Sequence, residues 1–79
     1  MSDSRIRWQC RRGMRELDVL LQGYFDRRYA AAGEGEKSAF RALLALPDPA
    51  LVAYLLHGEP VEDEALADVV RRVRERDFA

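Results

Sequence analysis

The fold of this chain is decided at residues 17–25, which read LDVLLQGYF. Apolar side chains recur there at i, i+3, i+4, i+7 and i+8, the spacing of one buried face of an amphipathic helix. These positions are Leu17, Leu20, Leu21, Tyr24 and Phe25. The spacing predicts a helix that continues to about Tyr29 or Ala31 and lies at the centre of a helical core.

A short helix is predicted before this stretch. Ile6, Cys10 and Met14 recur every four residues and give one apolar stripe over about two turns. Residues Met1–Ser4 are expected to form a frayed start. Gly13 interrupts the pattern, and glycine inside a helix costs about 1 kcal/mol relative to alanine. We therefore expect Gly13 at a helix end or in a tight bend.

Two helices are predicted after a break at Gly33-Glu34-Gly35. The buried face of the third helix is expected to comprise Phe40, Leu43 and Leu44, with Ala39 and Ala42 alongside. The sequence LPDP at 46–49 separates the two helices, because Pro47 stops a helix, Asp48 is a good N-cap and Pro49 suits the first helical position. The fourth helix is expected to end at His57-Gly58 and to carry Leu51, Tyr54 and Leu55.

A fifth helix is predicted from about Asp63, with Glu64 in its first turn, where negative charge favours the helix dipole. Its inner face is expected to consist of Leu66, Val69, Val70 and Val73. Its last turns hold four arginines, again favourable for the dipole: Arg71, Arg72, Arg74 and Arg76. The β-branched residues are too few and too helically spaced for a sheet. The sequence therefore predicts an all-α bundle of five helices, with residues 1–79 as a single domain.

The composition limits what such a bundle can be. A chain of 79 residues has a small core and modest stability. The single cysteine, Cys10, excludes an intrachain disulfide, and His57 is the only histidine, so no Cys/His set for structural zinc exists. The lone cysteine and the lack of an apolar leader favour a reducing, cytoplasmic compartment. No run of apolar residues approaches the ~20 needed to span a membrane.

Charge is segregated along the chain, although the net charge is only −1. Residues 1–16 carry a net charge of +3, and residues 59–68 carry −5. The near-neutral balance argues against a dedicated nucleic-acid binder. Of the 13 basic residues, all but Lys37 are arginine, which favours directional, bidentate contacts over a diffuse positive field.

The residue types that carry catalysis or bind metal are too sparse here to predict an enzyme. Cys10 and His57 fall on different predicted helices. Cys10 lies on the apolar stripe and is interpreted as a core residue, and His57 as a helix-end histidine beside the terminal carbonyls. The acidic run 59–64 lacks the alternating spacing and central glycine of a calcium loop. No glycine-rich phosphate loop follows a predicted strand.

The remaining candidate site is the charged stretch around Gly13. Arg11, Arg12, Arg15 and Glu16 surround the glycine, and Trp8 lies off the apolar stripe on the same side. Tryptophan and arginine are enriched in interface hot spots, and a glycine lets the backbone of a partner approach closely. A solubilising arginine face is the simpler alternative, but this density of charge around a bend favours a surface that binds another protein.

The same stretch resembles a known family. Arg12-Gly13-Met14-Arg15-Glu16 matches the R-G-x-x-E motif of the succinate dehydrogenase assembly factor (SdhE, also called YgfY) family. Around the motif, the similar residues are Ile6, Trp8, Cys10-Arg11 and Leu17-Asp18. Further along they are Glu36-Lys37, Phe40, Leu43-Leu44, Asp48-Pro49, Leu51, His57-Gly58 and Pro60. The sequence departs from the family at Gly33-Glu34-Gly35, where a polar N-cap is more usual.

This resemblance implies a five-helix chaperone that assists the covalent attachment of FAD to the flavoprotein subunit of succinate dehydrogenase. In some bacteria the related fumarate reductase flavoprotein is also a client. Family members bind the flavoprotein, and the client's own histidine attacks the flavin. The motif residues carried over are Arg12, Gly13 and Glu16, and the expected partner-binding set is completed by Trp8, Arg11, Arg15 and Asp18. No tightly bound cofactor is expected in this chain, because FAD belongs to the client.

Two other functions stay open at this point. An antitoxin-type module that binds a toxin or a cytoskeletal protein is the main alternative, and an arginine-rich nucleic-acid binder is disfavoured by the net charge. The sequence identifies neither the client flavoprotein nor the oligomeric state. A monomer and a weak dimer both fit, and in a dimer the acidic segment 59–68 could contact the basic N-terminal face of a second copy.

Overall fold

Five helices make up the fold in the computed structural model, which describes residues 3–75. They are α1 (Asp3–Gln9), α2 (Arg15–Arg28), α3 (Glu34–Leu44), α4 (Asp48–Leu51) and α5 (Glu64–Arg74). A 3₁₀ turn, Tyr29–Ala31, extends α2 to its predicted end, and a π-helical turn, Val52–Leu56, extends α4. Residues 3–75 contain no strand, so the predicted all-α fold of five helices is confirmed.

Helix α2 lies against the core through the face that its apolar spacing predicts. Leu17, Leu21 and Tyr24 are fully buried, and α2 contacts both α5 and the π-helical turn. The ring of Tyr24 packs against that of Phe40 from α3, with 4.6 Å between the ring centroids. Leu20 and Phe25 are only partly buried against the same core. The buried face of α2 is therefore narrower than its apolar stripe.

Helix α1 is shorter than the stripe Ile6–Cys10–Met14 indicates. Ile6 and Cys10 are buried as predicted, but Met14 is 38% exposed. The helix ends at Gln9, so the chain has already turned before it reaches Met14 and the four-residue spacing no longer applies. The expected frayed start is also wrong for Asp3 and Ser4, which are helical, and it cannot be assessed for Met1 and Ser2, which lie outside the described residues.

Helix α3 begins earlier than the glycines predict. Gly33 is its N-cap and makes no side-chain cap bond, whereas Gly35 lies inside the first turn, so the predicted break is wrong for Gly35. Four of the five residues predicted for the inner face are buried: Ala39, Phe40, Leu43 and Leu44. Ala42 is exposed instead, because it lies about 200° around the helix from Phe40.

Helix α4 follows the proline boundary with one difference in register. The N-cap is Pro47, and Asp48 is the first helical residue and not the cap that the sequence predicts. Leu51 and Leu55 are buried as the sequence predicts. The turn ends at His57 and is followed by Gly58, whose φ of +70° confirms the expected C-terminal glycine. The widening into a π-helical turn was not predicted.

Helix α5 completes the core. Asp63 is its N-cap, and the carboxylate accepts the backbone N–H of Leu66 at 2.8 Å. Val69, Val70 and Val73 are buried and Leu66 is partly buried. Three of the predicted arginines lie in the last turn, and Arg76 is outside the described residues. None of the helices within residues 3–75 has the length and apolar character required to cross a bilayer.

A polar cluster around Glu36 joins α2, α3 and α5 beside the core. Its carboxylate accepts hydrogen bonds from the Tyr24 hydroxyl and, at 2.9 Å, from Arg28 Nε, while Arg72 Nε lies 3.6 Å from its other oxygen. Burial by itself would raise the pKa of Glu36. The hydrogen bonds from Tyr24 and Arg28, with the positive charges of Arg28 and Arg72, outweigh burial and lower this pKa below its ordinary value. Glu36 therefore connects three helices as a carboxylate.

Candidate partner-binding surface

The chain between α1 and α2 turns at Gly13. Its φ is +82°, a left-handed conformation that residues with a Cβ adopt only with strain. A Cβ built on Gly13 would meet no atom within 4 Å. Glycine is therefore required here for its backbone conformation and not for space, and the predicted bend is confirmed.

Arg12 points into the protein immediately before this turn. Its Nε donates to Asp48 Oδ1 at 2.9 Å, and its Nη2 donates to the carbonyl of Leu46 at 3.0 Å. Its Nη1 donates to the carbonyls of Gln9 and Leu44, both at 3.1 Å. Only 18% of the Arg12 side chain is exposed. The guanidinium thus joins the end of α1 to the connection between α3 and α4.

Asp18 fixes the turn from the side of α2. Its Oδ1 accepts the backbone N–H of Arg12 at 2.7 Å, and its own backbone N–H donates to the carbonyl of Met14 at 2.9 Å. It lies in the first turn of α2, where negative charge is favoured by the helix dipole. Asp18 is partly buried and is bonded to the turn itself.

The other five residues of the predicted set face solvent. The Trp8 side chain is 71% exposed, and Arg11, Gly13, Arg15 and Glu16 are exposed as well. We refer to these five residues as the Gly13 corner. The structure brings all seven predicted residues to one region, with five on its surface and with Arg12 and Asp18 bonded internally. Partner binding by any of them stays a prediction.

Two more apolar side chains are exposed beside the Gly13 corner. Met14 is 38% exposed and Val19 is 49% exposed. With Trp8, they make up the large apolar side chains that are exposed within residues 3–75. Val19 was not predicted to be a surface residue, although its position two residues after Leu17 places it off the inner stripe of α2. Asp48 was not predicted to belong to this region either, because only its long-range contact with Arg12 places it there.

Arg15 and Glu16 line different grooves although they are consecutive. One groove is lined by Gly13, Arg15, Asp18, Val19 and Gln22. The other is lined by Glu16, Leu20, Leu55, Leu56 and Arg74. Consecutive side chains on a helix point about 100° apart, which separates the two residues. Arg15 and Glu16 therefore face different grooves, and each groove also contains a residue of the opposite charge, Asp18 in the first and Arg74 in the second.

The thiol and the imidazole considered for catalysis, those of Cys10 and His57, are not part of the Gly13 corner. Cys10 is fully buried, and its Sγ donates to the carbonyl of Ile6 at 3.5 Å. Burial raises the pKa of the Cys10 thiol to about 12, against a smaller opposing effect of Arg7, so the core interpretation of Cys10 is confirmed. His57 is exposed at the end of the π-helical turn. In the part of the chain that the structure describes, no three His, Cys, Asp or Glu side chains are placed to hold a metal ion.

The chain is similar to proteins of described function along almost its whole length. The sequence model of a family described as "flavinator of succinate dehydrogenase" matches residues 4–77. Among curated proteins, relatives named FAD assembly factor SdhE match it in several bacteria. The relative from Idiomarina loihiensis is 45% identical over 67 residues, which cover 85% of this chain and 74% of the relative.

Two more of these relatives cover nearly all of the chain. The protein from Yersinia pseudotuberculosis is 43% identical over 77 residues, 96% of this chain and 86% of its own length. The protein from Coxiella burnetii is 35% identical over 75 residues, 95% of this chain and 92% of its own length. Both carry the same name, FAD assembly factor SdhE. The family match over residues 4–77 includes the Gly13 corner and all of the five helices except the first residue of α1.

Proposed function

The chain belongs to the family of flavinators of succinate dehydrogenase, and on that premise we propose that it binds the flavoprotein subunit of succinate dehydrogenase and promotes covalent attachment of FAD to it. The proposed binding surface is the Gly13 corner. The flavoprotein of fumarate reductase is proposed as a second client where a cell contains one. The cytoplasm is the proposed place of this assembly step.

In this proposal the chain acts by binding and leaves bond formation to the client. A binding protein shifts a conformational equilibrium only if its affinity differs between the two states. The Gly13 corner would prefer the state of the flavoprotein in which a histidine of the client can reach the flavin. FAD remains the cofactor of the client throughout, and the chain needs no tightly bound cofactor of its own.

The observation that carries the proposal is where the exposed apolar side chains lie. Within residues 3–75, the large apolar residues that remain exposed are Trp8, Met14 and Val19, all in or beside the Gly13 corner. Apolar side chains that a small protein leaves in water at one place mark an interaction surface when polar residues surround them. Here Arg11, Arg15 and Glu16 provide those polar neighbours.

The charged residues of the corner are suited to recognise a polar protein surface. The guanidinium groups of Arg11 and Arg15 can each bind a carboxylate through two parallel hydrogen bonds. Glu16 can accept hydrogen bonds from a cationic side chain or from backbone N–H groups of the client. Because Arg15 and Glu16 line separate grooves, we expect the client to contact these two side chains with different groups, an acceptor at Arg15 and a donor at Glu16.

The test is in-gel flavin fluorescence of the succinate dehydrogenase flavoprotein in a strain that lacks this gene. Wild-type protein supplied in trans should restore covalent FAD, whereas Gly13→Arg, Glu16→Ala and Trp8→Ala should restore much less. Gly35→Arg and Glu62→Ala serve as controls for an added arginine and a removed carboxylate, since both positions are exposed and neither belongs to the corner. Circular dichroism of each purified variant checks that it is folded.

Pull-down from a wild-type lysate then identifies the partner. Recovery of the flavoprotein by the wild type, and its loss with Glu16→Ala, would support the proposal. Recovery of a toxin or a cytoskeletal protein in its place would favour the antitoxin function. If the folded corner variants all restored covalent FAD as fully as the wild type, the assignment of the surface would be wrong.

A further inference from the structure

We propose that Arg12 is a positioning residue that acts through Asp48 and the ends of α1 and α3, and that it does not contact the client. The identity of the client rests on the proposed function above. The role of Arg12 within the chain does not depend on it. Within the R-G-x-x-E motif, the arginine would then have an internal role, whereas the glycine and the glutamate belong to the surface that meets the client. Asp48, 36 residues away, would also belong to the functional unit.

Arg12 has few hydrogen-bond donors left for a client. A guanidinium has five N–H donors and no acceptor. The four bonds to Asp48, Gln9, Leu44 and Leu46 use all but one of them. A client that bound this guanidinium through a bidentate pair would have to break at least one of these part-buried bonds. Arg11 and Arg15, which are exposed, can bind a client without that cost.

Two of the acceptors of Arg12 are carbonyls at helix ends, which suit a structural role. Gln9 is the last residue of α1 and Leu44 the last residue of α3, and carbonyls at the end of a helix have no intrahelical N–H to bind. A cation there also interacts favourably with the negative end of each helix dipole. The Arg12 side chain therefore caps two helices, and Asp48 neutralises the positive charge of its guanidinium. Lysine offers one compact charge and cannot reproduce this planar arrangement.

Arg12 also lies where it can orient the Gly13 corner. Its guanidinium holds the α1 end and the α3–α4 connection, and its backbone N–H is held by Asp18. Arg12 is thus held at both its side chain and its backbone immediately before the left-handed Gly13. Fixing this residue fixes the direction in which Gly13, Arg15 and Glu16 leave the turn. A loss of these bonds should loosen the corner without removing any exposed group.

The first experiment uses the free protein and needs no client. Nitrogen-15 NMR compares hydrogen exchange of the Nε–H groups of Arg11, Arg12 and Arg15 at one pH. We expect the Arg12 Nε–H to exchange at least about tenfold more slowly, because exchange requires its bond to Asp48 to open. Asp48→Ala should remove this protection and shift the amide resonance of Gly13. An Arg12 Nε–H that exchanges as fast as those of Arg11 and Arg15 would overturn the inference.

The second experiment measures affinity for the purified flavoprotein subunit. Asp48→Ala should weaken binding about five- to tenfold, although it substitutes no residue of the Gly13 corner. Asp26→Ala is the matched control, since Asp26 forms an exposed two-bond pair with Arg7 and should leave the affinity unchanged. Arg12→Lys should also weaken binding. The double variant Arg15→Gln/Asp48→Ala should lose more affinity than either single variant.

A double variant separates positioning from direct contact. If Arg12 acts through Asp48, adding Asp48→Ala to Arg12→Gln should cost little more than Arg12→Gln alone. If Arg12 contacts the client, Asp48→Ala should release the guanidinium and keep or improve the affinity, and that result would overturn the inference. Adding Gly23→Ala, which should stabilise α2, to Asp48→Ala excludes simple instability if affinity is not restored. Should the wild type fail to bind the flavoprotein, the proposed function fails, and the exchange experiment still decides the role of Arg12.

Discussion

The carboxylate of Asp18 accepts the backbone N–H of Arg12 at 2.7 Å, across the turn that contains Gly13. This bond closes the turn from the α2 side, while the Arg12 side chain closes it from the side of α3 and α4. The backbone that precedes Gly13 is therefore held by a side chain that does not belong to the Gly13 corner.

Replacing Asp18 tests this closure. Asp18→Ala should lower the free energy of unfolding by about 1–2 kcal/mol, because the part-buried N–H of Arg12 loses its acceptor. Asp18→Asn keeps an oxygen at the same place and should cost less. Urea denaturation followed by circular dichroism measures both values. Equal stability of Asp18→Ala and wild type would show that the bond is replaced by water at no cost.

A side chain added at Gly58 should destabilise the protein, whereas one added at Gly23 should not. The φ of Gly58 is +70°, and a Cβ there would lie 3.1 Å from a guanidinium nitrogen of Arg74. Gly58→Ala should therefore destabilise the protein by about 1–2 kcal/mol through backbone strain. Gly23→Ala, inside α2 with no atom within 4 Å of its Cβ, should stabilise it by about 0.5–1 kcal/mol. Thermal melts of the two variants should move in opposite directions from that of the wild type.

Stability should depend on pH through Glu36. The pKa of Glu36 is below its ordinary value of 4.5 in the folded chain, so between these two values the unfolded state binds more protons than the folded state. The free energy of unfolding should then fall as the pH drops below about 4.5 and through the folded pKa, and this contribution should be complete above that window.

The variant Glu36→Gln isolates this contribution. It should be less stable than wild type at pH 7, because the bonds from Tyr24 and Arg28 lose their charged acceptor. The difference should shrink as the pH falls from 5 to 3. Denaturant titrations at several pH values measure it, with Glu62→Gln in the exposed linker as the control. A difference that stays constant down to pH 3 would contradict a lowered pKa for Glu36.

Cys10 should react only when the protein opens. Its side chain is fully buried, and burial raises the pKa of the thiol to about 12, so at pH 8 it is both inaccessible and protonated. Labelling by a thiol reagent should be slow in buffer and complete within the unfolding time in urea. A Gly58→Ala variant should label faster, by about the factor by which the substitution raises the equilibrium constant of unfolding. Labelling of the native wild type at the rate of a free thiol would contradict the burial of Cys10.

The sequence predicts the helices well because their patterns are local. The apolar spacing from Leu17 to Phe25 specifies α2, and the proline and glycine positions around Asp48 and Gly58 specify α4 to within one residue. Errors occur where a regular pattern is extended past a helix end. Met14 continues the stripe of Ile6 and Cys10 in the sequence, but the helix stops at Gln9 and Met14 is exposed.

The sequence places the candidate residues on one stretch of chain, but the contacts made within that stretch were not predictable. The local sequence predicts that Asp48 is an N-cap, but its carboxylate binds Arg12. That contact depends on how α3 and α4 pack. Arg12 and Arg15 likewise look equivalent in the sequence, although one is 18% exposed at its side chain and the other is on the surface. Only tertiary structure distinguishes the two arginines.

The bonds from Arg12 to Leu44, Leu46 and Asp48 span 32 to 36 residues of chain. Contacts over such distances form only after a long loop has closed, and the entropy of closure places them later than the local helices in folding. During synthesis, the Gly13 turn leaves the ribosome before its anchor at Asp48 does. A peptide of residues 3–28 would therefore contain every exposed group of the Gly13 corner without its geometry. The motif is contiguous in sequence, but its shape is completed by the second half of the chain.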